Sequence, residues 1–391
     1  MSMETQGWRT WIDIDLDALT ANYRTACGLT RATVTCVLKA NAYGHGAVPC
    51  ALALQRAGCA SFAVSCGREA LELRAGGVTG ELLVMAWPEP CLLRQLVQAE
   101  IVFTVSAMEE LQAPEQAAAS AGRRAKAHIK VDTGFHRLGF PSTQESAQAL
   151  ADATRALPHV SLCGLYSHLG LVTEERDARQ HQLLLSMRDW LASAGLALDD
   201  MHLCDSIGLV RYPQWHHSRC RVGSLLFGMR PSRSEGMPFQ LKETLVFRAR
   251  VAQLHDVPAG EVIGYDESGA TTRPMRVATV CAGYGDGYPR CLSGKGEVLI
   301  RGQRAPVLGL VCMDQLMVDV SRIPGCAAGD TATLLGGGIP CAEYAAWAQT
   351  NRNECLSILS RRPVRRYYQG GKLAGEWDQL LAGSTGSSPE E

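Results

Sequence analysis

The chain has 391 residues, with 38 basic against 39 acidic side chains, and 46% of its residues are hydrophobic. That balance offers no electrostatic hold on nucleic acid or on an anionic membrane surface, and no apolar run reaches the roughly 18 residues a membrane span needs. No signal-peptide core follows Met1, and the fifteen cysteines show no Cys-x-x-Cys spacing; both point to a cytoplasmic protein with reduced thiols, no disulfide framework and no metal site.

Residues 11–15 alternate as a strand does, and 16–27 follow a helical period. From residue 33 strand and helix signals take turns. Strands are expected at 33–38, 61–65, 81–86, 101–105, 126–132, 161–167, 201–205 and 220–226, with helices at 67–74, 92–99, 108–121, 144–157 and 176–196 between them. Eight parallel-type strands joined by helices predict an α/β fold, a (β/α)8 TIM-type barrel. The texture changes near residue 240. Strand-like runs at 244–257, 261–265, 276–282, 297–308, 316–320 and 331–335, with helices only at 342–350 and 354–361, predict a mainly antiparallel β domain. The expected division is a barrel over 8–238, a β domain over 239–383 and a flexible tail over 384–391, with a linker at 231–236.

One stretch organises the chemistry. Residues 33–38 read as a buried strand, Lys39 stands where it ends, and Asn41, Gly44 and Gly46 break the chain before a helical run at 47–56. A lysine at the mouth of a buried strand is partly desolvated, which favours the neutral amine. A neutral amine can condense with an aldehyde cofactor. Taken alone, Lys39 is better read as an ordinary lysine snorkelling out of a strand end. In barrels of this kind, however, reactive groups gather at the C-terminal strand ends, and Arg137, His168, Ser206 and Arg221 fall at or near the ends of later strands.

Val37-Leu38-Lys39-Ala40-Asn41-Ala42-Tyr43-Gly44-His45-Gly46 resembles the cofactor-lysine signature of the bacterial alanine racemases. The resemblance continues through His128–Gly139, Tyr166-Ser167-His168-Leu169, Gly264-Tyr265, Gly283-Tyr284-Gly285-Asp286-Gly287 and Val311-Cys312-Met313-Asp314-Gln315. It implies pyridoxal 5'-phosphate on Lys39, with Tyr43, Ser206, Gly223 and Ser224 at the phosphate and His168 beside Arg221, which faces the pyridine nitrogen. It implies two proton-transfer bases, Lys39 and Tyr265, the latter donated by the second subunit of a homodimer. Arg137, Met313 and Tyr284 are implied at the small amino-acid substrate, and Lys130, which is carbamylated in many family members, and Asp314 as supports. Related decarboxylases carry an acidic residue where Arg221 stands, which favours racemisation, and non-catalytic carriers on the same barrel lack the second domain.

Three positions depart from the family pattern. Ser224 replaces a usual isoleucine. Asn353 replaces a tyrosine that touches both the phosphate and the substrate side chain, and a short amide there leaves room for a hydroxymethyl group. His136, where a glycine is common, points the same way. In this respect the chain resembles the serine racemase domains of glycopeptide resistance. The expectation is a racemase of alanine that also takes serine, or takes chiefly serine, supplying D-amino acids for peptidoglycan.

Overall fold

The computed structural model describes residues 7–231, 234, 238–265 and 270–381. Most of the expected linker and all of the expected tail lie outside the described residues. The chain divides into two compact units, one of residues 19–42 and 47–242, the other of the described residues up to Ala18, Tyr43–Gly46 and those from Glu243 on.

Strand β1 (Thr10–Asp15) is followed along the chain by β2 (Thr33–Val37), β3 (Ser61–Val64), β4 (Glu81–Val84), β5 (Val102–Val105), β6 (Ala125–Asp132), β7 (Phe140–Pro141), β8 (Val160–Tyr166), β9 (Asp200–His202) and β10 (Arg219–Val222). Eight of them close a parallel ring in the order β5-β4-β3-β2-β10-β9-β8-β6, with β6 returning to β5. This is the TIM-type barrel, and its strands fall on the eight expected segments. Helices Gly67–Ala75, Leu93–Gln98, Gln112–Ala121, Gln144–Ala156 and Glu174–Ser193 fill the crossovers. Phe62, Phe103, Leu38, Leu54 and Leu73 are among its fully buried side chains. Two-residue β7 adds to β6 because Gly139 (φ +135°) folds the chain back so tightly that a Cβ there would stand 2.4 Å from the Asp132 amide nitrogen; only glycine fits.

The second unit holds β11 (Leu245–Val257), β12 (Met275–Val280), β13 (Glu297–Ile300), β14 (Gln303–Leu308), β15 (Leu316–Asp319), β16 (Thr331–Leu335), β17 (Val364–Gln369) and β18 (Lys372–Trp377). Strands β12-β15-β14-β13-β16-β11 run antiparallel to one another and close, because long β11 bends at a register shift between Val251 and Gln253 and also pairs with β12.

Several expectations need correction here. Residues 8–18, assigned from the sequence to the barrel, carry β1, which lies between β11 and β17 in the second sheet; alternation alone cannot say which sheet a strand joins. The run 297–308 is a hairpin, with Arg301 and Gly302 both at positive φ as a two-residue turn requires. Residues 261–265 form no strand, only an isolated bridge from Val262 to Ala270. The hairpin β17–β18 was not among the expected strands, and its segment carries two charged residues, Arg365 and Arg366. Both are buried, and Arg365 donates to the carbonyls of Gly44, Pro363 and Leu359.

Candidate active site

Lys39 follows β2 directly, and the chain after it is unusual. Ala40, Asn41, Ala42 and Tyr43 all have φ between 52° and 56°, a left-handed helical turn closed by a bond from the Ala42 amide to the Leu38 carbonyl at 2.8 Å. At about 1–2 kcal/mol per non-glycine residue, four such residues store roughly 4–8 kcal/mol, and strain of that kind collects at functional positions. The turn is braced at both ends: the Ala40 amide donates to Glu69 Oε1 at 2.6 Å and the Ala47 amide to Asn41 Oδ1 at 2.9 Å. Burial lowers the Lys39 pKa, and Arg137 and Arg221 lower it further against the pull of Glu69 and Asp205. The desolvated amine expected from its place in the sequence is present.

Around the same end of the barrel, Arg221 on β10 is buried and held by four hydrogen bonds. Its Nη2 donates to the carbonyls of Ser167 at 2.8 Å and Leu203 at 2.9 Å and reaches His168 Nδ1 at 3.4 Å, and its Nη1 donates to His202 Nδ1 at 2.6 Å. A guanidinium can only donate, so both histidine nitrogens must accept. His202 Nε2 therefore carries the proton and donates to His128 Nδ1 at 3.0 Å. Burial and the Arg221 charge keep His202 neutral, and the same causes, with Lys130, push His168 down to about 2. Tyr166 stacks on His202 with ring centres 4.6 Å apart and is held by Thr104 at 2.7 Å and the Met85 carbonyl at 2.8 Å. Below them Arg219 pairs with Asp200 and Glu81.

Lys130 on β6 lies 4.8 Å over the Tyr166 ring, and burial, then Arg221 and Arg137, hold its pKa well below the usual lysine range. At the end of β6, Asp132 Oδ1 accepts from the amides of Gly134, Phe135 and His136 at 2.9–3.1 Å. Burial of that carboxyl works against ionisation, but these bonds and His136 hold its pKa low. The tight turn they form presents Arg137 to solvent, its guanidinium 4.5 Å over the Phe135 ring.

Ser206 follows Asp205, whose carboxylate caps the amides of Ile207 and Gly208 at 2.9 Å each. Ser206 Oγ accepts from the Gly223 amide at 3.0 Å and the Leu225 amide at 3.4 Å. The two segments expected to bind phosphate are thus joined, with Ser224 half-buried in the turn between them.

The remaining candidates lie in the second unit. Tyr265, Met313 and Tyr284 are 67%, 54% and 43% exposed. The Met313 carbonyl accepts from the Gly285 amide at 2.9 Å, and Asp314 is fixed by Arg362 at 2.8 Å and by Arg9 at its carbonyl, 2.9 Å. Asn353 is exposed on helix Arg352–Ser357, which Asn351 caps through the Glu354 amide at 3.0 Å. Tyr43 belongs to the segment of this unit in which the Tyr367 hydroxyl donates to the His45 carbonyl at 3.1 Å.

Residues 14–231 match the model of the alanine racemase N-terminal domain and residues 244–367 that of its C-terminal domain. The chain belongs to the alanine racemase family. It is 35% identical over 369 residues to the alanine racemase of Desulfovibrio desulfuricans, covering 92% of this chain and 98% of that one. Among solved structures, alanine racemase from Clostridium difficile 630 superposes with a TM-score of 0.92 at 30% identity, covering 96% and 100% of the two chains. The enzyme from the D-cycloserine producer Streptomyces lavendulae gives 0.87 at 34% identity, covering 93% and 97%. The chain is therefore an amino-acid racemase, an isomerase. No helix among the described residues is long and apolar enough to cross a membrane.

Within this racemase the sequence assigned no role to four residues of the site: Glu69, Tyr166, His128 and His202. Polar side chains on otherwise apolar barrel strands were the available signal for the last three. Removing the group they serve has a clear expected cost. Arg221→Leu leaves the carbonyls of Ser167 and Leu203 and Nδ1 of His202 without a donor, and at about 1 kcal/mol or more each the fold loses about 3 kcal/mol. Urea unfolding of parent and variant measures it, and equal midpoints exclude this account.

Proposed function

We propose that this racemase interconverts L- and D-alanine, and L- and D-serine beside it, by two-base proton transfer on pyridoxal 5'-phosphate, and so supplies D-amino acids for peptidoglycan. The observation that carries the reading is the half-buried Lys39 amine, its pKa lowered, at the rim that also holds Arg221 in a hydrogen-bonded network. The donor set fits the cofactor: a desolvated amine for its aldehyde, Ser206 with the Gly223–Ser224 turn and, by resemblance, Tyr43 for its phosphate, and Arg221 for its ring nitrogen. When bound, the cofactor supplies an electron-withdrawing ring that stabilises negative charge at the substrate Cα.

The chain's residues supply the rest. Arg221 cannot give up its proton, so it leaves the ring nitrogen unprotonated and tempers that electron withdrawal; racemisation is favoured over side reactions that need a long-lived carbanion. Arg137 offers a guanidinium fork to the substrate carboxylate, and Met313 offers its backbone. Lys130, whose pKa is held low by burial and by the charges of Arg221 and Arg137, is shifted toward the form that takes up carbon dioxide, and the resulting carbamate would brace Arg137. Lys39 moves the proton on one face of Cα and Tyr265 on the other. Tyr265, Met313 and Tyr284, apolar or aromatic and exposed, are the surface that a second copy would cover, and the active form is a homodimer.

Serine turnover rests on Asn353. A pocket that gains room admits an added hydroxyl and still admits a methyl group, so discrimination is weak. Racemisation and α-proton exchange in deuterium oxide are expected with both amino acids and without carbon dioxide release. Asn353→Tyr is expected to lower kcat/KM for serine about tenfold relative to alanine. Carbon dioxide release identifies a decarboxylase instead, exchange with neither amino acid overturns the racemase reading, and unchanged relative kcat/KM in the variant overturns the role of Asn353.

A further inference from the structure

Glu69 lies in the first turn of helix Gly67–Ala75, behind β3, and nothing in the proton-transfer scheme uses it. Its two carboxylate oxygens go to different places. Oε2 accepts from the Ser65 amide at 2.8 Å, an ordinary use of an acid in the first turn of its own helix. Oε1 accepts from the Ala40 amide at 2.6 Å, the first residue of the left-handed turn and the one that follows Lys39. The side chain thus ties the ends of neighbouring strands β2 and β3 together at the one residue where the backbone leaves ordinary conformational space. A neutral acceptor would make the same bond more weakly, because charge-assisted hydrogen bonds are the shorter and stronger kind.

We propose that Glu69 is a positioning residue for Lys39, holding the left-handed turn that aims the lysine and supplying the nearby negative charge that its ammonium form meets. The inference rests on the racemase reading for its purpose but not for its test. The charged groups around the amine are Arg137, Glu69, Arg221 and Asp205, and Glu69 opposes the two arginines more strongly than Asp205 does. Without that carboxylate only Asp205 remains against two guanidinium groups, and the lysine proton is held less tightly.

Two variants separate the roles. Glu69→Gln keeps an amide oxygen for Ala40 and removes the charge; Glu69→Ala removes both. The full-length chain contains six lysines, few enough for their ε-carbons to be followed individually by NMR, with Lys39→Arg assigning the signal. In cofactor-free protein, where the Lys39 amine is free to titrate, its resonance in Glu69→Gln is expected to titrate at lower pH than in the parent, with Ala40 amide exchange still slow. In Glu69→Ala exchange at Ala40 is expected to accelerate about tenfold or more, the equivalent of one lost hydrogen bond to a charged group. A Lys39 titration that stays in place in both variants overturns the proposal, whatever the amides do. Because these readouts require no turnover, they stand apart from the assays that test racemisation: a chain that fails to racemise can still show them, and an active one can still lack them.

Discussion

A Tyr265→Phe enzyme is expected to lose interconversion by about 10²–10⁴-fold, the usual worth of a positioned acid or base, while one enantiomer still exchanges its α-proton with solvent deuterium. The asymmetry is the informative part. Removing the phenol hydroxyl leaves Lys39 able to take and return a proton on its own face, so label enters without inversion. Tyr265 is 67% exposed within its own chain, so the substitution should leave stability within about 0.5 kcal/mol, and any loss of turnover is chemical. Racemisation at the parental rate excludes Tyr265 as a base.

Lys39→Ala is the more severe change. On the proposed mechanism it removes the other base together with the amine that anchors the cofactor, and a loss of at least about 10⁴-fold is expected. The fold should tolerate it, since the variant takes a half-buried cation away from Arg137 and Arg221. In the parent, the lowered Lys39 pKa places the rise of neutral amine with pH below the ordinary lysine value of about 10.4, so the acid side of the kcat profile, which reports the substrate complex in which Lys39 is released as a base, should lie under that value. The two dead variants also test the assembly. If Tyr265 completes the partner's site, unfolding and refolding them together yields mixed dimers with one intact site of two, and random pairing restores about a quarter of parental activity. Self-contained sites restore none.

Much of this was legible in the sequence, and the limits have physical causes. The eight barrel strands were readable because each is a short apolar run between helical periods, and Lys39 because it ends such a run. The left-handed turn was not, since Ala40, Asn41 and Ala42 individually favour right-handed helix or turn and only Glu69, about thirty residues on, and Asn41's bond to Ala47 hold them otherwise. His202 was hidden for the opposite reason: one polar letter in a barrel strand says nothing about its partners until β8, β9 and β10 are side by side. The burial of Arg365 could not be read from its letter, since an arginine is rarely buried unless backbone carbonyls surround it, and those of Gly44, Pro363 and Leu359 come from two distant parts of the chain.

The place of β1 has a consequence for how the molecule is made. That strand is synthesised first, yet its neighbours in the sheet are β11, which starts at Leu245, and β17, which starts at Val364. On the ribosome it must wait as an unpaired apolar ribbon while the barrel's strands and helices emerge with mostly local contacts to make, and long-range pairing of that sort forms late. Its seat lies inside the sheet and not at an edge, so β17 and β18 cannot join the rest until the chain's beginning has returned. Completion of one module therefore depends on β1 and β17, strands from far-apart parts of the chain, meeting.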